Sequence, residues 1–274
     1  MTRLAELSAS KELIVNLTLR ELRGKYKRSF LGWGWSLINP LLTVAIYWLV
    51  FGVFLDIKAP VGDPSGMTSF VFFLVCGLLP FTFFQNAVES APEVLVSNGN
   101  LIKKVYFPRE ILVVAAVNAL LTTFLIELAV LGVLLLFAGN MVLPWIPVLL
   151  LLVVVETAFC LGVALLLSML NVYFRDVKHF TKIAMQLLFY ATPIVYPIRF
   201  VPVTSEIGGV EIPVREIYEL NPLVRMVSAY RDVLYDLRFP ALSDLGYFAL
   251  WAVVLLAFGW WIFVRLEGRL AEEV

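Results

Sequence analysis

Charge is scarce in this chain. Of 274 residues only 15% are Asp, Glu, Lys or Arg, against 61% hydrophobic, and the mean hydropathy is +0.90. A soluble domain carries about a quarter charged residues and about half apolar ones, so the composition is that of an integral membrane protein. Cysteine and histidine are nearly absent. Cys76 and Cys160 each sit inside an apolar run, which argues for two buried thiols and against a disulfide framework or a metal site. The single histidine, His179, has no Cys or His neighbour in sequence to complete a ligand set. The net charge is zero, so no general attraction to nucleic acid is implied. There is no G-x-x-x-x-G-K-[ST] phosphate loop, and no G-x-S-x-G or H-E-x-x-H pattern. The apolar spans lack the dense Asp, Glu, Arg and His relays of an ion-coupled pump; only Glu127 and Glu156 are charged deep inside them. Energy, where it is used, must come from another chain. The first 30 residues carry many charges and no apolar core before a small-residue site, so no removable signal peptide is expected. No internal repeat is visible, which leaves an inverted-repeat transporter unsupported.

What is present is organised around Arg20 to Leu42, RELRGKYKRSFLGWGWSLINPLL. A basic stretch is followed at once by an apolar run. Lys and Arg cross hydrocarbon at high cost and stay on the cytoplasmic side, while Trp33 and Trp35 suit the headgroup level. Upstream, residues 10 to 28 read as a helix, with Glu12, Asn16, Arg20, Arg23 and Lys27 on one polar stripe. A helix lying in the cytoplasmic interface fits; a plain cytoplasmic helix is the alternative.

Six spans follow, each near the ~20 apolar residues that a crossing needs. They are expected over about 32–55, 70–88, 111–137, 145–170, 183–198 and 245–264. Asn39-Pro40 bends the first, Pro80 lies in the second, and Pro193 and Pro197 break the short fifth. Residues 139–144 make a tight turn between the third and fourth. Lys and Arg sort by side. Seven near the chain start, three in the second-to-third loop, three in the fourth-to-fifth loop and two in the tail make fifteen on one side, against six on the other. The richer side is cytoplasmic, which puts both termini inside. The expected architecture is thus an all-α integral membrane protein. Residues 1–31 form a cytoplasmic interface segment, 32–264 hold six transmembrane helices, and 265–274 form a cytoplasmic tail.

The outer segment 199–244 is more than a loop. Asn221 is a good N-cap and Pro222 suits a first helical turn. Leu223, Val224, Val227, Tyr230 and Leu234 then repeat at helical spacing. With the broken fifth span this predicts a re-entrant helix pair between spans five and six, allowed only where protein or a water-filled cavity covers the backbone. A helix lying flat on the outer face is the alternative. On the inner side, Ser97 to Glu110 (SNGNLIKKVYFPRE) and Asn171 to Phe180 (NVYFRDVKHF) combine Lys103, Lys104, Arg109, Arg175 and Asp176 with Phe107-Pro108, Tyr173 and Phe174. Aromatic and Arg side chains together favour a protein contact; charge that merely sets topology is the alternative.

Arg28, Leu31-Gly32, Trp35 and Pro40 at the first span resemble a motif of polysaccharide-exporting ABC transporter permeases. So do LIKKVYFPREIL (Leu101 to Leu112), NVYFRDV (Asn171 to Val177) and NPLVRMVSAYRDVL (Asn221 to Leu234). The four stand in the right order between the right spans and cover about residues 12 to 266. The family includes O-antigen, capsule, teichoic-acid and cell-wall galactan exporters. The resemblance implies a homodimer paired with two copies of a separate ATPase, which carries ATP and Mg while this chain holds no cofactor. It implies that the interface helix and the loop residues Asn100, Leu101, Lys103, Lys104, Phe107, Pro108, Arg109, Arg175 and Asp176 meet that ATPase. It implies that helices after the fifth span, with Asn221, Pro222, Tyr230 and Arg231, gate the outer mouth. It also implies a continuous channel for a lipid-diphosphate-linked glycan or a teichoic acid polymer. One departure is the family's Pro shortly after PREIL; here Val113 and Val114 follow, which puts a kink there in doubt.

Two further readings come from the residues. Tyr47, Trp48, Phe51, Phe81, Phe84, Phe189 and Tyr190 lie well inside spans. Their faces suit stacking on sugar C–H faces, or else ordinary helix and lipid packing. Glu127 lies 12 residues before Gly139 and Glu156 lies 12 after Pro144, each about 18 Å from the turn. The pair is expected at similar depth, with at least one carboxyl protonated, since two charges there are costly. It either lines a polar pathway or forms a neutral hydrogen bond between packed helices. The rival functions are a type-2 ABC permease for a drug or lipid, and a membrane-embedded glycan-processing enzyme. The enzyme needs a positioned outer carboxylate set, and Glu206, Glu211, Glu216 and Glu219 read as a solvated face.

Overall fold

A computed structural model describes residues 10–25, 32–105, 107–207 and 210–270. Arg28 of the first-span motif lies outside them. The chain is mostly helical, as expected from its sequence. Helix α1 (Lys11–Lys25) is followed by α2 (Trp35–Tyr47), which continues as a π-helical stretch over Trp48–Phe54. Then come α3 (Phe70–Ser97), the short α4 (Gly99–Lys104), α5 (Glu110–Phe137), α6 (Ile146–Tyr173) and α7 (Val177–Tyr190). A small antiparallel hairpin, β1 (Ser205–Ile207) with β2 (Val210–Ile212), precedes α8 (Val214–Glu219), α9 (Pro222–Arg231) and α10 (Leu242–Leu266).

Among the described residues, four helices are long and apolar enough to cross a membrane: α3, α5, α6 with the turn leading into it, and α10. A shorter apolar helix runs Ile38–Phe54. The helix over the expected fifth span runs Val177–Tyr190 rather than 183–198, because the chain leaves helical geometry ahead of Pro193. Helix α3 extends past the expected 88 to Ser97 despite Pro80 and Pro92. Helix α5 passes through Val113 and Val114 without interruption.

The core forms where α6 meets α10 and where α3 meets α5 and α6. Gly162 and Gly259 let α6 and α10 touch backbone to backbone. A Cβ on Gly259 would stand 2.2 Å from the Gly162 carbonyl oxygen, and one on Gly162 would stand 2.5 Å from backbone atoms of Leu255 and Leu256. Aromatic rings fill the layer between helices: Phe83 stacks on Phe124 with centroids 4.8 Å apart, and Phe159 bridges Phe84 and Phe248. At the tight turn after α5, Gly139 takes φ +87°, a backbone that favours glycine.

Candidate functional site

The two ends of the bundle are built differently. At one end, polar side chains bind backbone carbonyls of neighbouring helix ends. Asn171 Nδ2 donates to the Pro92 carbonyl of α3 at 2.8 Å, and its Oδ1 accepts from the Lys178 amide in the first turn of α7 at 3.3 Å. The Tyr173 hydroxyl donates to the Leu266 carbonyl at 3.4 Å, and the Arg109 guanidinium donates to the carbonyl of Glu267. Helix α1 packs on α5 here, burying Leu17 and Leu22, and Arg20 donates to Asn98 Oδ1 at 2.7 Å.

These ties divide each loop motif into anchors and a presented face. In the first loop, Ile102 and Phe107 are buried, Leu101, Pro108 and Arg109 are half-buried, and Asn100, Lys103, Lys104 and Val105 are exposed. In the second, Tyr173 turns inward while Phe174, Arg175 and Asp176 are exposed. Sequence reading treated Tyr173 and Phe174 alike. The structure separates them, leaving Phe174 66% exposed on a loop whose flanks are tied down.

At the other end α9 is the hub. Asn221 caps it by accepting from the Leu223 amide at 3.0 Å, as its sequence predicts. Leu223, Val224, Val227, Tyr230 and Leu234 are all buried. Arg231 is also buried. Its Nε donates to the Phe73 carbonyl at 3.1 Å, Nη1 to the Pro193 carbonyl at 2.6 Å and Nη2 to the Ile194 carbonyl. Its guanidinium lies 3.8 Å from the centroid of the Phe73 ring. The broken backbone after α7 thus gains donors that a helix would have supplied internally. Gly77 makes room, since a Cβ there would meet Arg231 Nη2 at 2.9 Å.

The hub also gathers the loops. Asn140, after the α5 turn, donates to the Leu234 carbonyl at 2.8 Å. The Tyr235 hydroxyl lies within 2.8 Å and 2.9 Å of the Pro60 and Met67 carbonyls. Arg238 pairs with Asp232 at 2.7 Å through Nε, and with Asp236. Tyr235, Asp232, Asp236 and Arg238 line a cavity of about 480 Å³ with Asp63, Ser228 and Phe239. Glu206 faces Glu211 across the hairpin, and both are exposed with Glu216. Glu219 pairs with Arg225 at 2.9 Å.

The intramembrane acids go to different neighbours. Glu156 is fully buried and accepts from the Tyr230 hydroxyl at 2.5 Å. Glu127 is half-buried and lines a cavity of about 220 Å³ with Asn39, Pro40, Thr43, Tyr47 and Thr82. Among the candidate aromatics, Phe81 and Phe84 are buried, with Phe81 edge-on to Phe189 at 5.6 Å. Phe51 packs on Phe70 at 5.3 Å, Tyr47 is half-buried, and Trp48 and Tyr190 are exposed. In the first-span motif, Gly32 takes φ +52°, Trp35 opens α2, and Pro40 lies buried within it. Sequence reading missed the Tyr230–Glu156 bond and the Gly162–Gly259 contact. Their signals were Gly162 and Gly259, each deep in an apolar span, and a carboxyl with no cation nearby.

Comparison with known proteins adds the following. The sequence pattern of a family described as "ABC-2 type transporter" matches residues 12–235. The O-antigen export system permease protein RfbA of Myxococcus xanthus is 30% identical over 269 residues, covering 98% of each chain. A protein of the same name from Klebsiella pneumoniae is 31% identical over 264 residues, covering 95% of this chain and 94% of its own. The polysialic acid transport protein KpsM of Escherichia coli is 24% identical, covering 91% of each.

Proposed function

The chain belongs to the ABC-2 type transporter family, and from that premise we propose that it is the membrane-spanning permease subunit of an ATP-driven polysaccharide exporter. The observation that carries the reading is likeness at about 30% identity, over nearly the whole length, to permeases named for O-antigen export. The cargo is a lipid-diphosphate-linked glycan or a similar envelope polymer, moved from the cytoplasm to the outer face of the plasma membrane. Two copies of this chain pair with two copies of an ATPase that supplies ATP and Mg. The four long helices, α2 and the α7 region make six spans, with both termini cytoplasmic. The tied, basic end docks the ATPase, and α9 re-enters the membrane from the outer side.

Depleting the chain should cause a lipid-linked glycan to accumulate on the cytoplasmic side, read by extraction and mass analysis of carrier lipids. Accumulation of no glycan, with loss of a drug or lipid efflux activity instead, would move the reading to the drug or lipid branch of the same family.

The docking assignment is tested separately. The presented face consists of Lys103, Lys104, Phe174, Arg175 and Asp176, all exposed. Reversing both charges, R175D with D176R, puts like charges against whatever these residues meet, and such juxtaposition costs several kcal/mol. Co-purification of the ATPase should fall about tenfold or more, while membrane insertion stays normal because both side chains are exposed. The variant F174S is expected to act in the same direction. Full ATPase recovery with both variants would place the docking face elsewhere.

A further inference from the structure

Two adjacent residues of α9 reach in opposite directions. Arg231 binds α3 and the 193–194 turn, while Tyr230 reaches the middle of α6 and donates to Glu156 Oε2 at 2.5 Å. The carboxyl is fully buried, and its Oε1 meets no donor. Around the bond, Phe124 packs edge-on to Tyr230 at 6.2 Å and stacks on Phe83.

Hydrogen-bond capacity does not balance here. A neutral carboxyl and a phenol bring two O–H groups to one contact, so one donor is unmet. An ionised carboxylate brings two acceptor oxygens to one donor, so an acceptor is unmet. In either form buried polar capacity is left over, and that is destabilising where an apolar pair of the same shape would not be. Stability therefore gives no account of why a carboxyl stands at this position. What the bond does supply is direction. Apolar contacts from Leu223, Val227 and Val233 tolerate small sliding and rotation of a helix. One short bond to a fixed point on α6 does not.

We propose that Glu156 is a positioning residue for transport: through the Tyr230 hydroxyl it sets the height and rotation of α9 against α6, at a cost in stability. The geometry stands by itself; only the readout rests on the export reading given above.

The test compares the apolar double variant, E156L with Y230F, and the single variant E156Q, in the assembled transporter with its ATPase. The double variant is expected at normal membrane level, with a thermal midpoint equal to wild type or raised by a few degrees. Its glycan export is expected to fall about tenfold, as α9, still tied to α3 through Arg231, loses its fixed height against α6. E156Q keeps an oxygen that accepts from Tyr230 and should export within about twofold of wild type. Three outcomes overturn the proposal. One is normal export by the double variant. Another is a midpoint lowered by several degrees, which makes the pair a structural support. The third is loss of export in E156Q as deep as in the double variant, which makes an ionisable proton the requirement. Wild-type protein that exports no glycan would instead count against the export reading.

Discussion

Gly259→Val is expected to prevent α6 and α10 from packing. The side chain would be built into the Gly162 carbonyl oxygen at 2.2 Å. A backbone atom has no rotamer through which to retreat, so the helices must separate. Overpacking a core costs about 1–3 kcal/mol through strained side chains and backbone shifts, and occasionally more. Separation also forfeits the close contact that drives helix association in lipid, where small residues at the interface are the main device. The variant should be recovered from membranes at a small fraction of the wild-type level, with a thermal midpoint lowered by several degrees in detergent. Gly162→Ala should follow in the same direction, since its Cβ meets backbone at 2.5 Å. Gly132→Ala is the control. Nothing lies within 4 Å of a Cβ there, and Ala favours helix over Gly by about 1 kcal/mol. Wild-type stability of G259V would refute the α6–α10 contact.

The second large effect belongs to Arg231. Replacing it by Met keeps much of the volume but removes the donors to the Phe73, Pro193 and Ile194 carbonyls. An unmet buried polar group costs roughly 1–3 kcal/mol, so leaving the Pro193 and Ile194 carbonyls without their donor should release the broken segment after α7. Lys is not expected to rescue fully, because one ammonium cannot span carbonyls on two separate elements as a guanidinium fork does. The readout is labelling of a cysteine placed at Ile194, which is fully buried. It should be shielded from an impermeant thiol reagent in the Arg231 background and react quickly in R231M. Gly77→Leu should reproduce the effect with Arg231 intact, since its side chain would occupy the space held by Nη2 and Val227. Slow labelling in all three backgrounds would mean that the segment is held by other contacts.

These two sites mark the boundary of what the sequence reveals. The α9 cap was legible because Asn-Pro followed by helical spacing has one local solution, and the structure adopts it at Asn221 and Leu223. The long apolar helices were legible because hydropathy is summed over many residues and single errors average out. The partner of Arg231 was not legible. Its acceptors are backbone carbonyls on two other elements, and a carbonyl has no identity in a sequence. Glu156 was visible as an anomaly, but its partner lies 74 residues away, and sequence reasoning looked for it at Glu127, on the neighbouring helix. The two loop motifs were legible as units but not in their orientation. Tyr173 and Phe174 are adjacent aromatics, and only the Tyr173 bond to the Leu266 carbonyl decides which of them faces inward.

The carbonyl ties at the basic end have a mechanical consequence. Helices α3, α5 and α6 each contain 28 residues, which is about 42 Å of rod at 1.5 Å per residue. Asn171, Tyr173 and Arg109 lash these rods and α10 together at one end, while Asn140 and Arg231 join α9 to the opposite end. If a frame clamped in this way moves as one body, a small change of angle at one end is enlarged at the other. Each degree of tilt carries the far end of a 42 Å rod sideways by about 0.7 Å, so a tilt of about four degrees becomes a movement of about 3 Å at the other end.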